Sequence, residues 1–472
     1  MEWNWKKKWE MLKVNKISII LSLFFFVCCF SLIKTDNWSI GIDNLLSKLP
    51  LLYTPIIMAT SKPLDGRAQR IIIIGFIGSV LFSTIFSFIY LLTHEVADIR
   101  QISVFISHIR FSLCIVLAIF LSGFLSLIAK QYPLIVRTVF LMVALWLIVY
   151  LFIAQTLTGI AIFMTAAVFL IFRMLLSHKK NLTRKIILSV FTFLVLGFAA
   201  YFTYIIYDYY AAETPSESQL ESTTHYGHRY HHDLNSIVEN GSLIYLYVCE
   251  EELQTEWNKR SKLTYDDNIQ TTIIRYLNSK GLRKDRKGME TLTEKDINNI
   301  ELGIANVDYS RGIGLKRSIY PLLFSLTLYE KYNKIDHSSL LQRIELWKAG
   351  YQVIKSNALF GVGIGDHKEA IDQQLIDQNS PLTYKRDMGC HNQFITYCLM
   401  GGMILLLYFL FSLLYPFFTV EKSRSIIYII FFILIFISLF TEDTLETQVG
   451  ITLYAFFNSF LLLNFDEKKI NI

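Results

Sequence analysis

Runs of apolar residues long enough to cross a bilayer recur along this chain, and no other feature limits its fold so sharply. A membrane-spanning helix needs about 20 mostly apolar residues. By that ruler, candidate spans lie near residues 17–33, 40–60, 71–93, 107–129, 138–154, 156–176, 186–207, 394–416, 426–440 and 450–464. The balance of residues agrees, with 53% hydrophobic and 18% charged, against about 45–50% and about 25% in soluble domains. A mainly disordered chain and a single soluble enzyme are both excluded. The second span is interrupted by Asp43, Lys48 and Pro50, and the fifth and sixth are divided by AQTLTG. The first span lacks a small-residue cleavage site and leads into further spans, so it reads as a retained helix rather than a signal peptide. The expectation is an all-α polytopic membrane protein with about ten transmembrane helices and both termini on one side.

Basic residues indicate which side. Lys and Arg in short loops stay cytoplasmic. Residues 1–16 carry Lys6, Lys7, Lys8, Lys13 and Lys16, and residues 173–185 carry Arg173, Lys179, Lys180, Arg184 and Lys185. Lys62, Arg67, Arg70, Lys130, Arg137, Lys422, Arg424, Lys468 and Lys469 fall on the same side, against Lys34 and Arg100 in the opposite short loops. Both termini are therefore expected in the cytoplasm.

That topology places residues 208–393 outside as one large, mostly helical periplasmic insertion between a bundle over 1–207 and another over 394–472. The insertion has 22 Lys and Arg against 26 Asp and Glu, so the overall charge of +6 lies in the membrane-flanking segments. It reports orientation, and no nucleic-acid partner follows from it. Within the insertion, Thr293 with Asp296 three residues on is a helix-start signal, and the alternation in SLIYLYV suggests a strand. Cys249 and Cys390 are the two cysteines of the insertion, where an oxidising compartment would permit one bridge. No zinc spacing is present.

Four stretches could carry chemistry. THYGHRYHHD brings His225, His228, His231 and His232 together; such a cluster can bind a transition metal, although solvated histidines in a loop are the plainer reading. In RIELWKAGYQVIKSNALFGVGIGD, Arg343, Leu346, Trp347, Gly350 and Tyr351 share one helix face. A guanidinium there suits phosphate through its planar fork of donors, and Gly361, Gly363 and Gly365 could let backbone approach a ligand. The alternative is a helix with a glycine-rich stop. In MGCHNQFITYCLMGG, His391, Asn392 and Gln393 sit where the chain re-enters the membrane, and imidazole is the side chain best suited to proton transfer near neutral pH. The acidic turn FTEDTLETQVG, with Glu442, Asp443 and Glu446, either caps the final helix or faces a polar site.

The order R-x-x-x-W (Arg343, Trp347), N-x-L-F-G-V-G-x-G (Asn357 to Gly365), H-N-Q-F (His391 to Phe394) and a glycine-rich span through Gly402 resembles the O-antigen ligase and polymerase family of bacterial membrane glycosyltransferases. The ending TEDTLETQVG and the stretches TIIRYLNSKGLRKD and LTEKDINNIELGIAN resemble a ligase-like subgroup. The resemblance implies an all-helical inner-membrane protein that moves a glycan from an undecaprenyl-pyrophosphate carrier to an acceptor hydroxyl at the periplasmic face. It further implies a reaction that needs no metal, other cofactor or nucleotide sugar. The implied partners are that donor, a glycan, lipid or protein acceptor, and the lipids of the inner membrane. By motif match His391 activates the acceptor hydroxyl and Arg343 holds the pyrophosphate, with Trp347, Gly363, Gly365, Asn392 and Gln393 lining the substrate site. Many relatives carry a second arginine at the outer end of a mid-chain span, but the corresponding IAQTLTGIAIF has none. Arg311 is the expected substitute, with Arg317 and Arg275 behind it. A repeat-unit polymerase, a transporter or flippase, and a non-catalytic relative are the competing readings.

Overall fold

The computed structural model describes residues 4–470 apart from 95, 97–98, 128–131, 177–181, 212–214, 311–314, 333, 336–338 and 384–385. The described chain is almost wholly helical. Six helices are long and apolar enough to cross a membrane: Lys16–Lys34, Gly66–Thr93, His108–Leu127, Leu134–Ile153, Thr192–Tyr210 and Gln393–Thr419. Leu157–Arg173, Ile426–Thr441 and Gln448–Asn464 are apolar but shorter. The candidate span at 40–60 is two short helices, Trp38–Ser47 and Leu49–Thr60, which meet at Lys48. The reason is local: Pro50 lacks a backbone N–H and favours the first turn of a new helix.

Two compact units divide the chain, residues 1–176 with 342–472, and residues 177–341. In the first unit the helix His108–Leu127 is the most enclosed and packs against Leu134–Ile153, Leu157–Leu176 and Ile426–Thr441. Lys16–Phe30 packs against Leu49–Thr60 and Gln393–Thr419.

The last of these helices is broken at Gly401 and Gly402, the latter at φ +65°. The segment 357–365 fits into the break. Val362 N–H donates to Leu399 O (2.7 Å), Gly363 N–H to Met400 O (3.2 Å) and Met403 N–H to Ala358 O (2.8 Å). A Cβ on Gly402 would lie 2.2 Å from Leu359 O, one on Gly361 2.3 Å from Leu399 O, and one on Gly363 2.6 Å from Thr35 Oγ1. The glycines of GVGIG thus let one backbone approach another. The groups freed by the helix break find partners in that loop, as backbone in an apolar setting must.

In the second unit, Leu182–Tyr210 pairs with Lys316–Tyr332 through Asp208, whose carboxylate accepts from Lys316 Nζ (2.6 Å) and Tyr320 OH (2.7 Å). Short helices surround a core that includes Trp257, Ile273, Tyr276, Leu277 and Met289. Thr293 and Asp296 form the expected capping box of Glu294–Glu301. The expected strand in SLIYLYV is reduced to Ser242–Leu243, paired with Val238–Glu239, and to bridges at Val248. All six cysteines are free thiols, so Cys249 and Cys390 form no bridge.

Candidate functional site

Three elements of the first unit converge on the turn after Ile426–Thr441. Arg343 comes from the helix Ser339–Ser356, Arg110 from the first turn of His108–Leu127, and His391 from the residue pair before Gln393–Thr419. All three meet Glu442, whose side chain is 2% exposed. Arg343 Nη2 donates to Glu442 Oε1, Arg110 Nη2 lies 3.6 Å from Oε2, and His391 Nδ1 lies 3.3 Å from Oε2. The arginines are 18–19% exposed and the imidazole 34%. The carboxylate is therefore the floor of the cluster and the three nitrogen groups line its opening. Arg110 Nε is buried with no hydrogen-bond partner, a state that buried donors rarely tolerate without a ligand or water to meet them.

The backbone of His391 is held as tightly as its ring. His391 N–H donates to Asp443 Oδ2 (2.8 Å) and Asn392 N–H to Asp443 Oδ1 (3.0 Å). Thr396 Oγ1 adds a third donor to Asp443 at 2.7 Å. A Cβ on Gly389 would lie 2.5 Å from Asp443 Oδ2, so the carboxylate can reach this loop only because residue 389 has no side chain. His391 itself sits at φ +49°, an unfavourable backbone state for a non-glycine residue. Such strain persists where surrounding contacts over-determine it.

Behind this layer lies a second ion pair. Lys48, fully buried, donates through Nζ to Glu446 Oε2 (2.6 Å), and Gln393 Nε2 donates to Glu446 Oε1 (2.7 Å). Gln393 Oε1 accepts from Leu445 N–H (2.8 Å). Burial by itself would raise the Glu442 carboxyl, but the His391 hydrogen bond and the Arg343 and Arg110 charges outweigh it and hold the group below its ordinary range. Glu446 is likewise held low, with Lys48 overcoming burial. Asp443 goes the other way: burial raises it, the Glu446 charge adds to this, and its donors from Thr396 and His391 only partly offset the rise.

Arg343 and His391, expected from the motifs, are thus brought to one carboxylate. Asn392 and Gln393 adjoin it but point into the protein; Asn392 caps the following helix by accepting from Phe394 and Ile395 N–H. Trp347 donates to Cys390 O (2.7 Å) and so anchors the histidine loop. Gly363 and Gly365 are buried against Thr35 and Asn37, which fill the space a ligand would need beside them. The acidic side chains of the turn supply no cap to the final helix; Thr447, from the same turn, does so by accepting from Gly450 N–H.

Arg311 lies outside the described residues. Arg275 grips the fully buried Glu239 through Nε (2.9 Å) and Nη2 (2.8 Å), beneath the Phe324 ring, which makes it part of the second unit's core. Arg317 lies on Lys316–Tyr332. The arginine that joins Arg343 is Arg110, which sequence reasoning passed over inside an apolar span. Its signal was present: a lone guanidinium within the opening turn of a span requires a polar partner. No family model matches this chain, and no curated protein matches it.

Proposed function

We propose that this protein is a membrane glycosyltransferase that moves a glycan from an undecaprenyl-pyrophosphate carrier onto an acceptor hydroxyl. The observation that carries the proposal is the convergence of Arg343, Arg110 and His391 on the single carboxylate of Glu442. A carboxylate held by two guanidiniums occupies the kind of place that a phosphate oxygen takes, since both anions match the planar fork of arginine. The motif order that resembles that of O-antigen ligases supports the same assignment.

In this scheme the donor pyrophosphate engages Arg343 and Arg110. With the Nδ1 proton directed to Glu442, His391 Nε2 keeps its lone pair and takes the proton from the acceptor hydroxyl. The acceptor oxygen forms a bond to the anomeric carbon as the bond from that carbon to the pyrophosphate oxygen breaks. The electron pair leaves with the pyrophosphate, where fixed cations stabilise the developing charge. Glu442 then acts in two ways, keeping the arginines in place before the donor arrives and orienting the imidazole during transfer. The basic loops argue for cytoplasmic termini and a periplasmic site in the inner membrane.

A transport function is the second reading, favoured by the buried Lys48–Glu446 pair and the broken helix at Gly402, both features of substrate paths in transporters. One experiment separates the readings. Purified protein in proteoliposomes is given a carrier-linked repeat unit with an acceptor. Movement of the glycan to the acceptor supports a ligase, and a ladder growing on the carrier supports a polymerase. Redistribution of an unchanged donor between leaflets would replace both with transport.

A further inference from the structure

The histidine-rich stretch of the second unit has no part in the proposed transfer chemistry, yet one of its members meets two other ligand-type side chains. A His228 ring nitrogen, Cys249 Sγ and a Glu252 carboxylate oxygen all lie within 4.8 Å of one another. His228 Nδ1 is 3.3 Å from Glu252 Oε1 and 4.0 Å from Glu251 Oε2. They come from separate pieces of chain, a turn at 223–229 closed by the Thr223–Arg229 bridge, and the start of the helix Glu250–Arg260.

What sets the group apart is a buried carboxylate without a fixed cation, placed beside two further ligand-type side chains. Glu252 is 3% exposed. It accepts from Thr224 Oγ1 (2.5 Å) and from Arg286 N–H (2.8 Å), both uncharged donors. Among the described residues no Lys or Arg side chain pairs with it, and His228 is its one potential cationic partner. Glu239 and Asp296, also buried in this unit, are answered by Arg275 and Lys280, whereas buried Asp285 accepts from Tyr230 OH and Gly288 N–H and, among the described residues, has no second ligand-type side chain grouped with it. Buried charges are paired or coordinate metals. The neighbouring Glu251 and the buried thiol of Cys249 extend the excess of negative or ionisable ligands around one point.

We propose that His228, Cys249 and Glu252 bind one zinc-class divalent cation, with Glu251 placed to supply a fourth ligand. One nitrogen, one sulfur and one or two carboxylate oxygens form the mixed set that suits zinc in a four-coordinate site. The surroundings already provide the outer shell such a site needs. Thr224 and the Arg286 amide fix the Glu252 carboxylate, and Thr224 N–H donates to His228 O (2.7 Å) while its Oγ1 accepts from His228 N–H (3.2 Å). The bound ion joins the 223–229 turn to the helix Glu250–Arg260. Its function is to lock this part of the second unit, separate from glycan transfer in the first.

The test uses the full-length protein in detergent, tag removed, titrated with Co(II) as the spectroscopic probe, with zinc content measured after purification. Wild type should take up one Co(II) per chain with a thiolate-to-cobalt charge-transfer band, and zinc should displace it. Cys249→Ser should lose the band. His228→Ala, at a side chain 48% exposed and so the least harmful to folding, should lose stoichiometric binding. Thr224→Val should weaken binding roughly 10–100-fold, and His231→Ala should bind as wild type does. The absence of a thiolate band in wild type, or a band that persists in His228→Ala, would overturn the proposal. Loss of the band in His231→Ala would equally show that the ligand set is wrong. Because the readout is metal binding, a failure of glycan transfer in the first unit would leave this result unaffected.

Discussion

Replacing Arg110 is the sharpest test of the proposed anion site, because nothing in the motif order requires that residue to participate. Its Nη2 is 3.6 Å from the Glu442 carboxylate. Two unit charges at about 4 Å interact by about 4 kcal/mol at an effective dielectric constant near 20. A phosphate oxygen in place of the carboxylate would experience a comparable attraction. Removing one fixed donor to developing charge in an enzyme site typically costs about 2.7–4 kcal/mol, or about 10²–10³ in rate. Arg110→Ala should therefore slow transfer about 10²–10³-fold in the proteoliposome assay, with the protein still folded. Arg343→Ala should lose at least as much, and Arg343→Lys should stay within about tenfold of it because a point charge cannot reproduce a bidentate grip. The double variant should lose less than the product of the single losses, since both arginines hold one anion. Adding Glu442→Gln distinguishes binding from simple neutralisation. If Arg110 only balances Glu442, the Arg110→Ala/Glu442→Gln pair regains wild-type transfer; if it binds donor, stability recovers but rate does not. Wild-type turnover in Arg110→Ala would refute the second-arginine assignment outright.

His391→Gln keeps a hydrogen-bonding side chain without useful basicity, so transfer should drop about 10²–10⁴-fold while carrier binding persists; near-normal turnover by folded protein would make His391 an anchor only. Glu442, held below its ordinary range, contributes stability that is complete above its unfolded-state pKa and is lost as pH falls through the lower folded value. The difference in Tm between wild type and Glu442→Gln should therefore be constant near neutrality and shrink only in acid below about pH 4.3; a difference that vanished already between pH 7 and 6 would contradict the depressed carboxyl. Gly402→Ala must carry a Cβ 2.2 Å from Leu359 O at φ +65°, a backbone state that by itself costs a side chain about 1–3 kcal/mol. The variant should show a lower Tm and less inserted protein, whereas Gly78→Ala, with nothing near its Cβ, should match wild type; equal stability of the two would remove the case for loop insertion at the helix break.

Span composition is visible in sequence because backbone polar groups in hydrocarbon must be satisfied within the helix itself, and long apolar segments are the result. That logic located the six helices long and apolar enough to cross a membrane. It failed at 40–60, where Lys48 ends one helix and begins the next, because apolar content does not record a backbone break. Arg343 and His391 were legible as candidates for a different reason: their residue types suit anion binding and proton transfer, and the motif order brings them into one stretch. Their meeting point was not legible. Glu442 could be read as an acidic turn, but its three partners come from helices far apart in the chain, and only packing of those helices brings them to one carboxylate.

The role of the glycines and the place of Arg110 were hard to read for one physical reason. A spaced run of glycines reports that something approaches the backbone closely, without identifying what. In GVGIG the approaching group is the chain's own helix break, with Gly361 against Leu399 O and Gly402 against Leu359 O, where a phosphate was the natural first guess. Arg110 was absorbed into an apolar span because span detection averages over a window and one charge barely changes the mean. Its energetic meaning is opposite to its statistical weight: a guanidinium one turn inside an apolar helix is costly unless a carboxylate or phosphate meets it. Read that way, a lone arginine at the start of a span and an uncapped acidic turn after another are two halves of one requirement. Glu442 meets it in this structure, and under the proposed mechanism the donor pyrophosphate takes over both arginines during transfer.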